Sequence, residues 1–197
     1  MHPDEDWAGW FAQTRGRPPR AEFLTAVAEL GDDLPRVAVD LGAGDGTETR
    51  WLLERGWRVH AIDGTPGLRA RILDHLESDP GDQLTAIDEE FGAVAALPQA
   101  SLIYAGMSLP FGTEAEIRHI LGLAAAALEP GGVFAAHFLG ERDSWSSREG
   151  VTVHSAEELD DLLRDFVVQS VAERELDGPS GTGPKHWHVR FVVAGSR

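Results

Sequence analysis

The sequence contains no cysteine and no asparagine, and Lys185 is its only lysine. Without cysteine, disulfides, thiol nucleophiles and thiolate metal centres are all excluded. No apolar run approaches the roughly 20 residues that a membrane span requires, so no membrane partner is expected. Basic clusters are scarce as well. The one locally basic stretch, Arg15-Gly16-Arg17-Pro18-Pro19-Arg20, is too small for a nucleic-acid groove. It suits one carboxylate or phosphate of a small ligand, or else is a solvated turn. With a formal charge of −16, the chain repels nucleic-acid phosphates, and no nucleic-acid partner is expected. The opening Met1-His2-Pro3-Asp4-Glu5-Asp6 lacks the basic start and apolar stretch of a secretory signal, which points to a cytoplasmic protein. Missing asparagine beside abundant alanine, glycine and arginine reads as a coding bias of the genome and carries no functional information.

What is present fits one folded unit. Hydrophobic residues make up 42% of 197 residues, enough for a sizeable core, and the whole chain, 1–197, reads as a single domain. The first 30 residues have helical spacing: Trp7, Trp10 and Phe11 share one face, and Phe23, Leu24, Val27 and Leu30 another. From residue 36 onward strands and helices alternate. Arg36 to Leu41 is a short apolar run ending in glycines, as a buried parallel strand would be. Strands are expected at Arg58–Ile62, Gln83–Ile87, Ser101–Ala105 and Val133–Leu139. Helix starts are expected at three capping boxes, Asp45 with Glu48, Thr113 with Glu116 and Ser155 with Glu158, and at Thr65-Pro66. Two long β-like runs, Phe166–Leu176 and Trp187–Ala194, close the chain. Only Asp177 to His186 lies between them, too little for a parallel crossover, so the last strand must run antiparallel. The expected architecture is α/β, Rossmann-like and doubly wound. A mostly parallel seven-stranded sheet with an antiparallel C-terminal strand carries helices on both faces.

Asp40-Leu41-Gly42-Ala43-Gly44-Asp45-Gly46 follows the first strand and opens a helix. Glycines there let the backbone turn and approach a ligand closely. The dinucleotide fingerprint would place its third glycine at position 47, where this chain has Thr47. Asp63 ends the second strand, and an acidic group there can accept both hydroxyls of an unphosphorylated ribose. The glycines could instead merely shape a tight strand-to-helix turn.

Val37 to Gly46 resembles the first motif of class I S-adenosylmethionine-dependent methyltransferases. Leu128-Glu129-Pro130-Gly131-Gly132-Val133-Phe134 resembles the segment that precedes strand five in that family. The resemblance covers the chain from about Arg36 to its end. Size and layout are most similar to small bacterial tellurite-resistance and thiopurine methyltransferases. The resemblance implies S-adenosylmethionine as cofactor and S-adenosylhomocysteine as product. It implies that Asp40, Gly42, Gly44 and Gly46 line the methionine and ribose end, that Asp63 holds the ribose hydroxyls and that Gly64 flanks the adenosine. Asp88 or Glu89 would lie near the adenine amino group, with Phe91 as a wall. The fourth motif departs from the family. Tyr104-Ala105-Gly106-Met107-Ser108-Leu109-Pro110-Phe111 lacks the Asn/Asp-Pro-Pro-aromatic form used for amino groups of bases and glutamines. A small-molecule acceptor is therefore expected.

Ligands in this architecture lie beyond the carboxyl ends of the parallel strands. Methyl transfer is an in-line displacement in which positioning and exclusion of water supply most of the catalysis. A base is needed only for an acceptor that arrives protonated. His137, Asp143 and His186 are the candidates. Met107, Phe111, Trp145 and Lys185 are the candidate acceptor contacts, with Trp187 as a further aromatic wall. Each has a plainer alternative: a core histidine at His137, a turn cap at Asp143, sheet packing at Trp187. His186 and His188 point the same way on a strand, but no convincing third ligand accompanies them, so no metal is expected. The N-terminal helices, 1–30, would form a lid over the 36–197 core. Two other readings stay open: a cofactor-binding regulatory protein of the same fold without methyl transfer, and a nicotinamide oxidoreductase, against which Thr47 argues. Oligomeric state is not legible in the sequence.

Overall fold

The computed structural model describes residues 7–14, 16–181 and 183–197. In chain order the elements are α1 (Trp7–Thr14), α2 (Ala21–Ala28), β1 (Val37–Leu41), α3 (Thr47–Leu53), β2 (Arg58–Asp63), α4 (Leu68–Leu73) and β3 (Leu84–Asp88). They continue with β4 (Ala100–Ala105), α5 (Glu114–Ala127), β5 (Leu128–Gly140), β6 (Val153–His154), α6 (Ala156–Leu162), β7 (Phe166–Ser180) and β8 (Gly183–Ser196). The sheet order is β3-β2-β1-β4-β5-β8-β7, with the two-residue β6 paired to β5. Strands β1 to β6 pair parallel, and β8 runs antiparallel to both β5 and β7. This is the doubly wound, mostly parallel sheet that the alternating pattern predicts; β6 is an eighth strand that the pattern does not announce. No helix among the described residues is long and apolar enough to cross a membrane.

Alternation along each strand loads both faces of the sheet with apolar side chains. On β4 and β5, Ile103, Phe134, Ala136 and Phe138 pack on one side with Ile117, Ile120 and Leu121 of α5. Leu102, Tyr104, Val133 and Ala135 face the other side, against Phe23 and Ala26 of α2, Leu52 and Leu53 of α3, and Leu68 and Ile72 of α4. Within the expected stripe of α2, Leu24 instead points outward, and Ala26 takes the buried place.

Local capping decides several element ends. Thr113 with Glu116 and Ser155 with Glu158 form the two expected capping boxes. The third does not form. Gly46, at φ +75°, caps α3, and Glu48 is drawn away by two arginines. Helix α4 starts at Leu68 rather than at Pro66, because the Asp88 carboxylate reaches across to the Gly67 and Leu68 N–H groups at 2.8 and 3.0 Å. The last two strands run further than their apolar stretches suggest. Leu176↔Trp187, Asp177↔His186 and Gly178↔Lys185 are ladder pairs, so most of the expected loop is a paired ribbon that projects beyond the sheet.

Gly140, the last residue of β5, lies against the imidazole of His188: a Cβ there would stand 2.2 Å from Nδ1. That ring has no room to retreat, since Nδ1 accepts from the Arg142 N–H at 3.1 Å and Nε2 meets Glu173. Gly140→Ala is expected to destabilise the fold by about 1–3 kcal/mol, read as a lower urea midpoint at unchanged slope. An unchanged midpoint would contradict this packing.

Candidate active site

The sheet order reverses between β1 and β4, so the chain leaves these two neighbours in opposite directions. A crevice opens beyond their carboxyl ends, where ligands bind in open α/β sheets. Here it is a cavity of about 850 Å3, toward the upper end of the roughly 300–1,000 Å3 usual for small-molecule sites.

One half of the cavity is built by the glycine loop. The Gly42 and Ala43 N–H groups donate to the Ile62 carbonyl at 2.7 and 3.0 Å, tying the loop to the end of β2. Gly42, at φ +71°, admits no side chain: a Cβ would fall 2.2 Å from Cβ of Ser108. Asp63 accepts from the N–H groups of Gly44 and Thr65, both at 2.9 Å, and from the Arg71 guanidinium at 3.1 Å. Asp63, Gly64 and Thr65 all line the cavity. Phe11 of α1 lies over Gly44, 3.3 Å from where a Cβ would be, and the Arg71 guanidinium lies 4.8 Å from the centre of the same ring. Among the residues the sequence assigns to the adenine, Asp88 is spent capping α4 and Glu89 is exposed. The cavity wall there is formed by Glu90 and Phe91.

Asp40 is buried at the tip of β1 and accepts from the Thr49 hydroxyl at 2.6 Å. Burial, helped by the nearby Glu48 charge, pushes its carboxyl up to about 7. Glu48 receives both guanidinium arms of Arg17, at 2.7 and 2.6 Å, and Nη1 of Arg20 at 3.2 Å. Burial would raise the Glu48 carboxyl, but the bonds and charges of these arginines outweigh it and hold it below its ordinary value. The basic stretch thus meets a carboxylate of the chain itself. Arg15, within that stretch, lies outside the described residues.

The other half is aromatic. Trp7 of α1 packs edge-on against Phe111 at 4.8 Å. Phe111 continues to Trp145 at 6.3 Å, and Trp145 to Trp187 at 5.6 Å. Met107, between β4 and this wall, lines the cavity in the left-handed backbone region, at φ +61°. His137 of β5 also lines the cavity, 5% exposed. Burial, with the charge of Arg20, lowers its ring to about 4, so it is neutral at pH 7.

The remaining candidates lie elsewhere. Lys185 and Asp143 form an ion pair with both side chains fully buried. The Lys185 Nζ sits 3.9 Å from the Trp187 ring centre and 4.4 Å from that of Trp145. Asp143 also accepts from the N–H groups of Trp145 at 2.9 Å and His188 at 3.0 Å. Burial lowers the lysine, and Asp143 opposes the shift. The pair therefore stands behind the tryptophan wall and fixes the ribbon to the loop after β5. His186 turns to the opposite side of β8, bonded to Asp177 at 2.7 Å and Glu175 at 3.1 Å, which raise it above its ordinary value. His188 is held by Glu173 and Arg142, and His154 is buried on Glu114 at 2.9 Å. Sequence reasoning passed over Tyr104, the only tyrosine, which lines the cavity beside His137. Its signal was a lone phenol at a strand tip, two residues before Gly106.

Removing one member of a buried ion pair leaves the other charged and unpaired. Lys185→Met is expected to cost about 3–5 kcal/mol. The double variant Lys185→Met/Asp143→Asn should recover part of that loss, because the introduced amide is uncharged and keeps an acceptor for one of the two N–H groups. A thermodynamic cycle by chemical denaturation measures both. A stable single variant would refute the pinning role.

No protein-family model and no curated protein sequence matches the chain. Solved structures do. TehB from Haemophilus influenzae superposes with a TM-score of 0.76 at 13% identity, over 97% of this chain and 67% of that one. An S-adenosylmethionine-dependent methyltransferase from Methanosarcina mazei gives 0.67 at 14% identity, over 91% and 99%. The N-methyltransferase NodS from Bradyrhizobium japonicum, in complex with S-adenosylhomocysteine, gives 0.66 at 14% identity, over 92% and 89%. The chain has the fold of the class I S-adenosylmethionine-dependent methyltransferases.

Proposed function

We propose that this protein binds S-adenosylmethionine and transfers its methyl group to a small-molecule acceptor. The observation that carries the reading is the juxtaposition at the strand-order reversal. A side-chain-free cradle at Gly42 and Gly44 stands beside the Asp63 carboxylate and opens into a cavity that continues to an aromatic wall. Asp63 would take the ribose hydroxyls, the loop from Gly42 to Gly46 the methionine portion, and Glu90 with Phe91 would flank the adenine. The bound cofactor supplies a methyl carbon on a positively charged sulfur. The chain's own contribution is to hold the acceptor in line with that carbon and to exclude water. Trp7, Phe111, Trp145 and Trp187 give the acceptor an apolar wall and offer π faces to positive charge. A protein that only bound the cofactor would need only the glycine-loop half, so the second half favours transfer over binding alone. The chain's acidic charge suits a small acceptor better than an anionic macromolecule. A cytoplasmic location is part of the proposal and rests on the sequence.

In this reading α1 alone is the lid, since Phe23 and Ala26 bury α2 in the core. Phe11 lies on the cradle and Trp7 on the acceptor wall, so one helix covers both halves and must move for ligands to enter.

Calorimetric titration should give micromolar binding of S-adenosylmethionine and S-adenosylhomocysteine. Asp63→Ala should weaken it at least tenfold, with folding checked by circular dichroism. No binding of either ligand to the unaltered protein would overturn the reading. For the lid, a chain beginning at Pro19 should release S-adenosylhomocysteine at least tenfold faster in a stopped-flow displacement experiment. An unchanged release rate would rule the lid out.

A further inference from the structure

Three buried polar atoms in the acceptor half have no hydrogen-bond partner: Nε1 of Trp7, Oη of Tyr104 and Nδ1 of His137. The last two belong to neighbouring parallel strands, β4 and β5, and both side chains project from the same face of the sheet. Their rings meet edge to face with centres 6.4 Å apart. Tyr104 is 1% exposed and His137 5% exposed, and both line the cavity. An unpaired buried polar group costs stability, and a folded chain keeps one where it serves a ligand.

We propose that Tyr104 and His137 are the acceptor-binding pair of this site, and that they take a neutral hydroxyl carried on a flat, apolar body such as an aromatic ring. The proposal rests on the methyltransferase reading and names the acceptor class that the reading leaves open.

The lobe around the pair sets this chemistry. Phe191 lines it, 4.8 Å from the His137 ring, and Phe23, in the core behind, meets the Tyr104 ring edge-on at 5.0 Å. The arginines and glutamates that face it are paired with one another: Arg17 and Arg20 with Glu48, and Arg174 with Glu22 at 2.9 Å. Asp40, which also lines the cavity, accepts from the Thr49 hydroxyl, and burial disfavours its charge. A carboxylate acceptor would have to share a guanidinium with an internal carboxylate, and an ammonium acceptor would meet paired glutamates or an aspartate whose charge is disfavoured. A hydroxyl needs neither. It accepts from a phenol and donates to Nδ1 of an imidazole that carries its own proton on Nε2, and burial keeps both rings in their neutral forms. The phenol is also fixed in place, because a Cβ at Gly106 would stand 2.8 Å from Oη and 2.6 Å from the ring.

The chemistry balances. As the acceptor oxygen bonds to the methyl carbon, the carbon–sulfur pair stays on sulfur, leaving a neutral thioether. The hydroxyl proton passes to the His137 nitrogen and leaves to solvent with the product. A weakly basic imidazole suffices, because an oxygen that has gained a methyl group holds its proton far less tightly than imidazolium does.

The test uses phenol as probe, and toluene as the same shape without the hydroxyl, on protein saturated with S-adenosylhomocysteine. Calorimetry is expected to give phenol at least tenfold tighter than toluene, benzoate or benzylamine. Tyr104→Phe and His137→Phe should each remove most of that preference while leaving toluene binding unchanged. The thermal midpoint of Tyr104→Phe should hold or rise, since an unpartnered hydroxyl is removed, whereas a structural hydroxyl would lower it. Should His137→Phe fail to fold, the ring-nitrogen NMR shifts of His137 in the unaltered protein must respond to phenol and not to toluene. Phenol binding no tighter than toluene, or a preference that survives both substitutions, overturns the proposal. If S-adenosylhomocysteine binds and phenol is not preferred, only the acceptor assignment falls. If S-adenosylhomocysteine itself does not bind, the methyltransferase reading falls instead.

Discussion

The Asp63 carboxylate holds the glycine-loop half of the cavity together. It ends β2, yet its bonds go to the glycine loop through the Gly44 N–H, to its own turn through Thr65, and to α4 through Arg71. Arg71 spreads the connection further. It donates to the carbonyls of Gly44, Thr65 and Pro66 at 3.0, 3.0 and 2.6 Å and lies under Phe11 of α1. One carboxylate–guanidinium pair therefore ties together the loop, the turn before α4 and the seat of the first helix. The paired geometry matters more than the attraction itself, because a guanidinium fork fixes direction as well as distance.

The ribbon of β7 and β8 is controlled by a different pair. A fully buried lysine–aspartate pair roughly breaks even in stability, since both ions lose their hydration. What it provides is position. Lys185 lies on the same side of β8 as Trp187, Val189 and Phe191, so pinning it to Asp143 brings the tryptophan wall over the cavity. The opposite side of the ribbon carries Glu173, Glu175 and Asp177 against Arg142, His186, His188 and Arg190. Those contacts are more exposed and individually weak; they hold the ribbon flat, while the buried pair fixes its place.

Much of this was legible in the sequence, for a definite reason. Strand alternation, the glycine loop and the Thr113 and Ser155 boxes are local patterns, and local patterns survive folding when nothing distant competes. Glu48 shows what happens when something does. Its spacing from Asp45 reads as a capping box, but Arg17 and Arg20, about thirty residues earlier, offer a buried carboxylate far more than one backbone N–H can. Asp88 and Lys185 failed in the same way. Each is the right residue type near the right strand end, and each is taken by a partner distant in sequence: the start of α4 for Asp88, Asp143 for Lys185. Tyr104 was missed for the opposite reason. A tyrosine in an apolar strand reads as core, and only the fold reveals that its hydroxyl finds no partner there.

The two halves of the cavity differ in how their polar groups are satisfied, and this difference bears on how each would bind. On the glycine-loop side Asp63 accepts from Gly44, Thr65 and Arg71. A carboxylate offers about four acceptor positions, so under the proposed reading a ribose hydroxyl adds a bond there without displacing one of these. On the aromatic side Tyr104 and His137 each keep a polar atom without a partner. A ligand that satisfies them removes a penalty already present in the fold, and one that cannot satisfy them leaves it standing. Discrimination against molecules lacking the right polar group is strongest in such a site. Helix α1 lies over both halves, with Phe11 on the glycine loop and Trp7 on Phe111 of the aromatic wall.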